Sequence, residues 1–325
     1  MKQERFLYFD VVKGFAILLM IVGHCSIPSG FHDWIYSWHM PVFFFISGYF
    51  FKQEGWRKTL LSIWKHQVVP YWVICISVLI CLFLIQLNHL FNNEFFLAQQ
   101  LSDTALFAIF GNNYFSSPRD PYLGTVWFIC ALAWCKILMR VSFYFPGKIR
   151  LLFFVLLFCL PGTILDYKIF DWFYILQGMQ ASIFVYLGML MRGDNLYEKK
   201  PIVIPFILLF FASKMPIHMY SFYYPYGIYS VIVATLISNS VIFVSKYLTE
   251  NEYFRRFRLL ELFCFVGMYS ILIYCYECFA YSMQYYKVIA SLPLWLNVSI
   301  KILIPIVIVT IAVRVKLVRR LFSLR

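Results

Sequence analysis

Three ionisable residues share the first long apolar segment of the chain: Asp10, Lys13 and His24. If that segment is a helix, spacings of three and eleven residues place all three side chains on one face, because each residue turns the helix by about 100°. Lys13 and His24 would then lie about 16 Å apart along the axis. An ionisable side chain inside a span costs about 2.5 to 3.5 kcal/mol on insertion scales, so each is a candidate for function. A cation near one membrane surface and an imidazole closer to the other, on the same helix face, indicate a polar path for a ligand through the membrane.

A simpler interpretation of the same residues is structural. Asp10 and Lys13 have the i,i+3 spacing of an ion pair, and His24 can hydrogen-bond a neighbouring helix. Two further histidines and an aspartate follow in the next segment; they are His32, Asp33 and His39. Such a cluster is also found in metal sites, but the sequence has no HExxH motif and no pair of cysteine ligands beside it. We therefore predict that no metal is bound.

The composition predicts that the elements carrying these residues are membrane helices. Of the 325 residues, 62% are hydrophobic and 13% are charged, which is far more apolar material than one soluble core of this length needs. This excludes a soluble enzyme, a disordered chain and a disulfide scaffold. The net charge is +13, yet the basic residues lie at helix ends and do not form the patch that nucleic acid requires. We predict no nucleic-acid partner.

Apolar runs bounded by charged residues, prolines or polar clusters predict ten spans. They lie near residues 7–27, 34–51, 68–90, 125–144, 150–166, 172–191, 201–214, 226–245, 261–283 and 294–313. Lys and Arg concentrate in the connecting segments that are inside if the N-terminus is inside, as cytoplasmic loops require. The sequence therefore predicts an all-α polytopic protein of the cytoplasmic membrane, a single domain over 1–325 with both termini cytoplasmic. The apolar segment 95–110 is interrupted by polar residues and is predicted to be interfacial or re-entrant.

The start of the chain also resembles a known family. Residues 9–51 read FDVVKGFAILLMIVGHCSIPSGFHDWIYSWHMPVFFFISGYFF, similar to the start of the acyltransferase type-3 family, the integral membrane O-acyltransferases that include fucose 4-O-acetylase-like proteins. In that family one helix carries an aspartate, a basic residue and, after ten residues, a histidine. The next begins with a His-Met-Pro-like sequence and continues to Ser-Gly. The matching residues here are Asp10, Lys13, His24, His39, Met40, Pro41, Ser47 and Gly48.

Two later segments extend the resemblance, and two positions depart from it. Thr125–Phe128 looks like the family's Trp-Phe helix, and its penultimate helix is matched by Gly267, Ser270 and Tyr274. Lys13 replaces the usual arginine, and a lysine cannot make the planar bidentate contact of a guanidinium. Glu277 stands where the pattern usually closes with a histidine. Lys301, on the following apolar run, is a candidate partner for Glu277 in a structural ion pair.

The resemblance implies an O-acyltransferase. It would move an acyl group, most simply acetyl, from cytoplasmic acyl-coenzyme A to a hydroxyl of a cell-surface glycan or of its lipid-linked precursor. His24 would be the general base and the substrate-binding residues would be Lys13, Asp10, His39, Ser47, Trp127 and Glu277. Acyl-coenzyme A is a co-substrate in this chemistry, and no bound cofactor is expected. The remaining partners would be the glycan acceptor and the lipid bilayer.

The residues alone leave three alternatives open. Ser47 has the chemistry of an acyl relay if a base lies beside it, whereas a Ser-Gly pair in a membrane helix more commonly allows close packing. A transporter or flippase for a glycan-related substrate would also use ten spans and a Lys/His stripe, but the sequence lacks the inverted repeats often seen in transporters. A non-catalytic scaffold would not require Lys13 and His24 on one face.

Overall fold

A computed structural model describes residues 6–91, 98–111, 123–163, 171–192, 211, 215–255, 258–283, 289 and 291–323. Within these ranges the chain is helical and has no β-strand. An isolated antiparallel bridge joins His218 to Tyr223 in a loop. The predicted all-helical class is therefore confirmed.

Most of the described residues lie in α-helices of very different lengths. In chain order these are α1 Leu7–Gly23, α2 Ser29–Tyr36, α3 His39–Tyr49, α4 Trp56–Ile63, α5 Val69–Phe91, α6 Ala98–Phe110, α7 Trp127–Ser142, α8 Gly147–Cys159, α9 Ile175–Leu190, α10 Ile228–Glu250, α11 Glu252–Arg255, α12 Arg258–Met268, α13 Ser270–Ser282, α14 Leu294–Ala312 and α15 Lys316–Leu321. Short 3-10 turns lead into α7 and α9, at Gly124–Val126 and Trp172–Tyr174.

Among the described residues, five helices are long and apolar enough to cross a membrane. They are Trp56–Ile85, Gly124–Ser142, Trp172–Leu190, Ile228–Glu250 and Leu294–Ala312. A sixth span results if α12 and α13, which meet at a bend of 71°, are counted as one broken helix. The protein is thus a multi-pass membrane protein. The predicted span 201–214 lies outside the described residues except at Phe211, and the count of ten and the cytoplasmic termini stay predictions.

The first predicted span, 7–27, corresponds to α1, which ends earlier, at Gly23. Pro28 follows in the chain, and a proline disfavours helical backbone at the residue before it. The 17 residues of α1 have a length of about 26 Å, slightly less than the hydrocarbon thickness of about 30 Å. The end of α1, and with it His24, therefore lies near one edge of the apolar layer if the helix spans it.

The second predicted span, 34–51, is divided between α2 and α3. Trp38 interrupts the helix with φ −149° and ψ −21°. Pro41 lies in the first turn of α3, where the missing backbone N–H removes no helical hydrogen bond. Hydropathy averaged over a window does not indicate this break, because the polar residues Ser37 and His39 stand within an otherwise largely apolar run.

The helix that contains the third predicted span begins earlier than residue 68. A π turn, Trp64–Val68, joins α4 to α5. The continuous segment Trp56–Ile85 has 30 residues and a length of about 45 Å, more than the hydrocarbon thickness of about 30 Å. Because α4 carries exposed Arg57 and Lys58, we expect the α4 end of this segment to lie at the aqueous interface, outside the hydrocarbon layer.

The chain divides into two compact units. Unit one comprises Met1–Gln53, Ile183–Ile273 and Leu292–Thr310, and unit two comprises Glu54–Ser182, Tyr274–Ser291 and Ile311–Arg325. A compact unit of a helical membrane protein is not by itself an independent domain. The single domain predicted over 1–325 therefore stays a prediction.

The core of unit one is built by α1, α3 and α10. Its members are Tyr8, Phe9, Val12, Ala16, Leu19, Ile35, Trp38, Val42, Phe45, Ile46, Val233, Ile237, Val241 and Ile242. Trp38, at the break before α3, is fully buried and stacks on Phe15 of α1 with 5.8 Å between ring centroids. Such aromatic pairs add to the burial that holds the helices together. This packing fixes α1, which carries the predicted catalytic residues.

Two glycines allow α1 and α12 to approach backbone to backbone. A methyl group at Gly14 would collide with the Phe263 carbonyl, and one at Gly267 would collide with the Asp10 carbonyl. Small residues at such crossings are typical of packed membrane helices. Gly267, which belongs to the family-like penultimate segment, therefore positions α1 at the level of Asp10.

Within unit one, segments predicted to lie on the same side of the membrane contact one another. The Ile217 N–H donates to the Tyr36 carbonyl at 3.3 Å, and both residues are predicted at the outer side. Arg192 donates from Nη1 to the Phe51 carbonyl at 3.2 Å, and both are predicted at the inner side. These contacts agree with the predicted alternation of sides.

Candidate functional site

The acidic and basic residues near the start of α1 form an ion pair. Lys13 Nζ lies 2.8 Å from Asp10 Oδ1. The Asp10 side chain is buried, while 28% of the Lys13 side chain is exposed. The buried Asp10 carboxylate therefore fixes the position of the Lys13 ammonium. The exposed part of the Lys13 side chain can contact a ligand.

His24 is the first residue after α1. Its backbone N–H donates to the carbonyls of Met20 and Ile21 at 3.3 and 3.2 Å. Its side chain is exposed. The end of the helix thus fixes the backbone of His24 while its imidazole stays accessible, which is the arrangement that a proton-accepting side chain needs.

Two polar residues of α14 bind the end of α1. Lys301, whose exposed fraction is 4%, donates from Nζ to the His24 carbonyl at 3.1 Å. One helical turn earlier, Asn297 Oδ1 lies 3.8 Å from Cys25 Sγ, and the thiol donates weakly to it. A cation at the carbonyl end of a helix is also favoured by the helix dipole. Lys301 therefore stabilises the backbone position of His24.

Sequence reasoning found Lys301 as an intramembrane cation but did not connect it with His24, and it did not identify Asn297. A pair of polar residues at i,i+4 in an otherwise apolar helix was the available signal. Its acceptor is a backbone carbonyl, which leaves no trace in the sequence. The predicted ion pair between Lys301 and Glu277 stays a prediction.

His39, the first residue of α3, is fixed by a hydrogen bond to the backbone of α2. The ring is buried and its Nδ1 lies 2.8 Å from the Ile35 carbonyl. Because a carbonyl only accepts, Nδ1 must carry the proton, and in the neutral ring Nε2 is left as an acceptor. The ring also contacts Tyr36 edge-to-face, with 4.9 Å between centroids. His39 is therefore oriented as a hydrogen-bond acceptor toward a partner at Nε2.

A small group of aromatic and imidazole rings lies beside His39 in unit one. His32 stacks on Tyr36 at 4.1 Å, and His218 contacts Tyr36 at 5.0 Å. His32 Nδ1 is 3.5 Å from Asp33 Oδ1. Burial lowers the pKa of His218, the nearby His32 lowers it further, and Asp33 opposes the shift. Sequence reasoning did not identify His218, because it lies 179 positions after His39 in a loop with no motif.

These rings do not form a metal site. In the described ranges, no three side chains of His, Cys, Asp or Glu come together as metal ligands. The group is a polar surface with hydrogen-bond donors and acceptors.

Ser47 lies in α3 next to a close helix contact. A methyl group at Gly48 would collide with the Val185 carbonyl, and one at Gly188 would collide with the Phe45 carbonyl. This reciprocal approach of α3 and α9 supports the packing interpretation of the Ser-Gly pair. The half-buried Ser47 side chain makes no hydrogen bond to a described residue. A role as an acyl relay stays a hypothesis.

Trp127 and Glu277 belong to unit two. Trp127 begins α7 and is half-buried. Two tyrosine hydroxyls fix the turn before it: Tyr174 donates to the Gly124 carbonyl at 3.2 Å, and Tyr274 donates to the Thr125 carbonyl at 2.5 Å. The family-like Tyr274 thus positions the family-like Trp-Phe segment. Glu277 lies less than one turn further along α13, and its exposed fraction is 3%.

The chain matches one protein family over nearly its whole length. A family model described as an acyltransferase domain, that of the acyltransferase type-3 family, matches residues 6–315. The chain belongs to this family. The match covers nearly the whole chain, so the resemblance first noted at residues 9–51 is confirmed and the protein is a membrane acyltransferase. No curated protein and no solved structure matches the chain.

An acyltransferase must activate a nucleophile and bind an acyl donor. In unit one of this acyltransferase, the groups suited to these tasks are the accessible His24 imidazole and the Asp10-held Lys13 ammonium. Both are on α1 or directly after it. The helix is held by backbone contacts with α12 and, at its end, by a hydrogen bond from the Lys301 side chain of α14. Unit one therefore provides a rigid support for both groups.

Proposed function

We propose that this acyltransferase is an O-acyltransferase of the cytoplasmic membrane. It transfers an acyl group, most simply acetyl, from cytoplasmic acyl-coenzyme A to a hydroxyl of a cell-surface glycan or of its lipid-linked precursor. The observation that carries the proposal is His24, whose imidazole is accessible while its backbone is held by α1 and by Lys301. The family match supplies the acyl-transfer chemistry.

His24 acts as the general base. A sugar hydroxyl is a weak nucleophile until a base takes its proton in the transition state, and histidine is suited to this near neutral pH. The hydroxyl oxygen attacks the carbonyl carbon of the thioester while His24 accepts the proton. The carbon–sulfur bond then breaks, and the proton passes to the thiolate of coenzyme A. The products are the acylated glycan and free coenzyme A.

The ion pair on α1 serves the donor side of the reaction. Asp10 fixes the Lys13 ammonium, and the exposed part of Lys13 contacts the acyl-coenzyme A that enters from the cytoplasm. A single ammonium is a point charge, so it contributes attraction without the two-point geometry of an arginine.

The acceptor side uses neutral groups. His39 presents Nε2 as an acceptor, and Trp127 has the flat apolar ring on which sugars commonly stack. Glu277 contributes a polar contact only if it replaces the family histidine, and we favour a structural role for it. We likewise favour packing for Ser47, so that transfer is direct and forms no acyl-enzyme.

The membrane arrangement in this proposal is ten spans with both termini cytoplasmic. The start of α1, with Lys13, then lies toward the cytoplasm, and the end of α1, with His24, lies toward the outside. Donor and acceptor approach from opposite sides of the membrane and meet along α1. The basic residues of the connecting segments support this orientation.

Chemical analysis of the surface glycans of the host, with and without this chain, tests the proposal. We expect the loss of one O-acyl group and its return when the chain is expressed again. In parallel, the purified chain should release free thiol from acetyl-coenzyme A only when the acceptor glycan is added. Loss of the whole glycan from the surface, with no change in its acylation, would instead identify a transporter or flippase.

A further inference from the structure

Unit two contains a second pair of cations, Lys136 and Arg140, one helical turn apart on α7. Lys136 is half-buried, and its Nζ donates to Ser62 Oγ at 3.2 Å and to Gln67 Oε1 at 3.1 Å. Both acceptors are neutral. Gln67 itself is buried and lies in the π turn between α4 and α5. An ammonium has three N–H donors, so one remains for another acceptor.

Arg140 is held by rings instead of by a carboxylate. Its guanidinium carbon lies 5.6 Å from the ring centroid of Trp56 and 5.6 Å from that of Tyr144. Trp56 Nε1 donates to the Tyr144 hydroxyl at 2.8 Å, which ties the two rings together. The Nε atom of Arg140 is buried and has no hydrogen-bond partner in the described part of the chain. The guanidinium is thus positioned by the rings, while its buried Nε donor makes no hydrogen bond to a described residue.

Among the residues that the structure describes, neither Lys136 nor Arg140 has a carboxylate partner, so neither cation has a counter-charge there. Like charges at i,i+4 repel, and a partly buried cation loses hydration without recovering it from an anion. A bound anion with several oxygens would relieve both costs, because an arginine fork and an ammonium are the common ligands of phosphate.

The surroundings favour a ligand that carries an aromatic ring as well as a phosphate. The Tyr144 ring is 67% exposed and lies beside the guanidinium. A nucleotide base stacks favourably on an aromatic side chain. Coenzyme A has both an adenine and phosphate groups, whereas a phospholipid headgroup has a phosphate and nothing to stack. The π turn is a further indication, since such turns are frequent at functional sites.

We propose that Lys136 and Arg140 form a phosphate-binding site, and that the phosphate it takes is that of the coenzyme A part of the acyl donor. The identity of the donor rests on the proposed function. The site lies among segments predicted to be cytoplasmic, where the donor is found and where exposed Lys65 adds positive charge. Lys136 supplies a point charge, Arg140 supplies the fork, and Tyr144 supplies the stacking surface.

Binding of coenzyme A to the purified full-length chain in detergent, measured by calorimetry, tests this site. Coenzyme A lacking its 3′-phosphate, and pantetheine, which lacks the nucleotide, serve as comparison ligands. We expect the double variant Lys136→Met, Arg140→Met to bind coenzyme A at least about tenfold more weakly, since it loses charge-assisted hydrogen bonds. The double variant should bind pantetheine as the wild type does. Lys148→Met, which removes an exposed cation of the same segment, should change the coenzyme A affinity less than about twofold.

Conservative variants keep the test independent of folding. Lys136→Arg should retain most of the affinity, and Arg140→Lys should retain part of it, because it keeps the charge and loses the fork. Equal coenzyme A affinity in the wild type and in a folded double variant would overturn the site and leave the proposed function standing. Loss of copurified anionic phospholipid from the double variant, with coenzyme A affinity unchanged, would assign the phosphate to a lipid and overturn the proposal. A wild type that binds no coenzyme A would overturn this site together with the proposed donor.

Discussion

The cations of α1 and α14 in unit one differ from those of α7 in unit two in what the protein provides for them. Lys13 is 2.8 Å from the Asp10 carboxylate, and Lys301 donates to the His24 carbonyl. In the described part of the chain, Lys136 donates to a hydroxyl and an amide, and Arg140 lies over two rings. Lys13 is thus partly neutralised by its carboxylate, and Lys301, which is 4% exposed, serves to fix the backbone of His24. Lys136 and Arg140 have no carboxylate among the described residues and keep the stronger attraction for an anion from outside.

Removal of the proposed base should have the largest effect. We expect His24→Ala to lower the rate of acyl transfer by about 10² to 10⁴, because that is the usual contribution of general acid-base catalysis. The affinity for coenzyme A should not change, since His24 contributes to the reaction step. Transfer is measured as thiol release and as glycan acylation with purified protein.

The His24→Ala variant must also insert and fold. Membrane yield and thermal melting in detergent should match the wild type, because the side chain is exposed and the backbone contacts of residue 24 remain. Added imidazole should restore part of the rate. Wild-type transfer by a well-folded His24→Ala protein would show that His24 is not the base. Unit one would then have no assigned catalytic residue.

Lys301 should have the next largest effect, and it should affect turnover more than affinity. A hydrogen bond to a charged group contributes about 1.5 to 3 kcal/mol. If the whole free energy of the bond from Lys301 to the His24 carbonyl serves to position His24 in the transition state, Lys301→Met lowers kcat by about tenfold to a hundredfold. KM for the donor should stay the same. Steady-state kinetics with the donor varied separates the two parameters.

Two variants show whether the Lys301 effect comes from positioning. Lys301→Arg keeps a donor near the His24 carbonyl and should retain more activity than Lys301→Met. Ser299→Ala, on the same helix, removes a hydroxyl that donates only to its own helix at Trp295, and it should be neutral. A change in donor KM with kcat intact would mean that Lys301 binds the donor, as Lys136 and Arg140 are proposed to do. It would contradict the positioning role of Lys301.

The sequence predicts the local chemistry of α1 well and its long-range support poorly. The i,i+3 spacing predicts the contact between Asp10 and Lys13 that the structure contains, and the Ser-Gly pair indicates the close packing seen at Gly48. Both follow from helix geometry over a few residues. The bond from Lys301 to residue 24 joins positions 277 apart, and its acceptor is a main-chain atom that no residue type identifies.

The same limit applies to the fold. Composition and hydropathy predict helices and a membrane, as observed, but they do not locate the break at Trp38 or the π turn at Trp64–Val68. Each is a change of backbone geometry that the residue types around it do not specify, since the polar residues at both places are also compatible with a continuous helix. The pair Lys136 and Arg140 is visible in the sequence as two cations near a helix end. That no carboxylate among the described residues pairs with either cation emerges only from three-dimensional contacts.

Substitution of Lys13 should have an intermediate effect. The Asp10 carboxylate neutralises part of the Lys13 charge, and solvent screens the remainder because the side chain is partly exposed. We expect Lys13→Ala to raise the donor KM several-fold, less than the loss of affinity in the Lys136 and Arg140 double variant. Lys13→Arg should retain the wild-type value or improve it, since the guanidinium adds a fork. An unchanged donor affinity in Lys13→Ala would leave Lys13 as a structural partner of Asp10 alone.

Glu277 should show the smallest effect on activity, and its variants test whether α13 contributes to the acceptor site. It is 3% exposed, and a buried carboxylate must be protonated, hydrogen-bonded or paired with a cation such as Lys301. If its role is structural, Glu277→Gln keeps the shape and most hydrogen bonds, so turnover stays near wild type while thermal stability falls slightly. If it replaces the family histidine, Glu277→Gln lowers transfer without lowering folded protein, and Glu277→His restores it. We expect the first result, measured as melting temperature and turnover of both variants in detergent. A stable but inactive Gln variant would place Glu277 with the acceptor, because a lost structural contact lowers stability before it lowers turnover in the protein that remains folded.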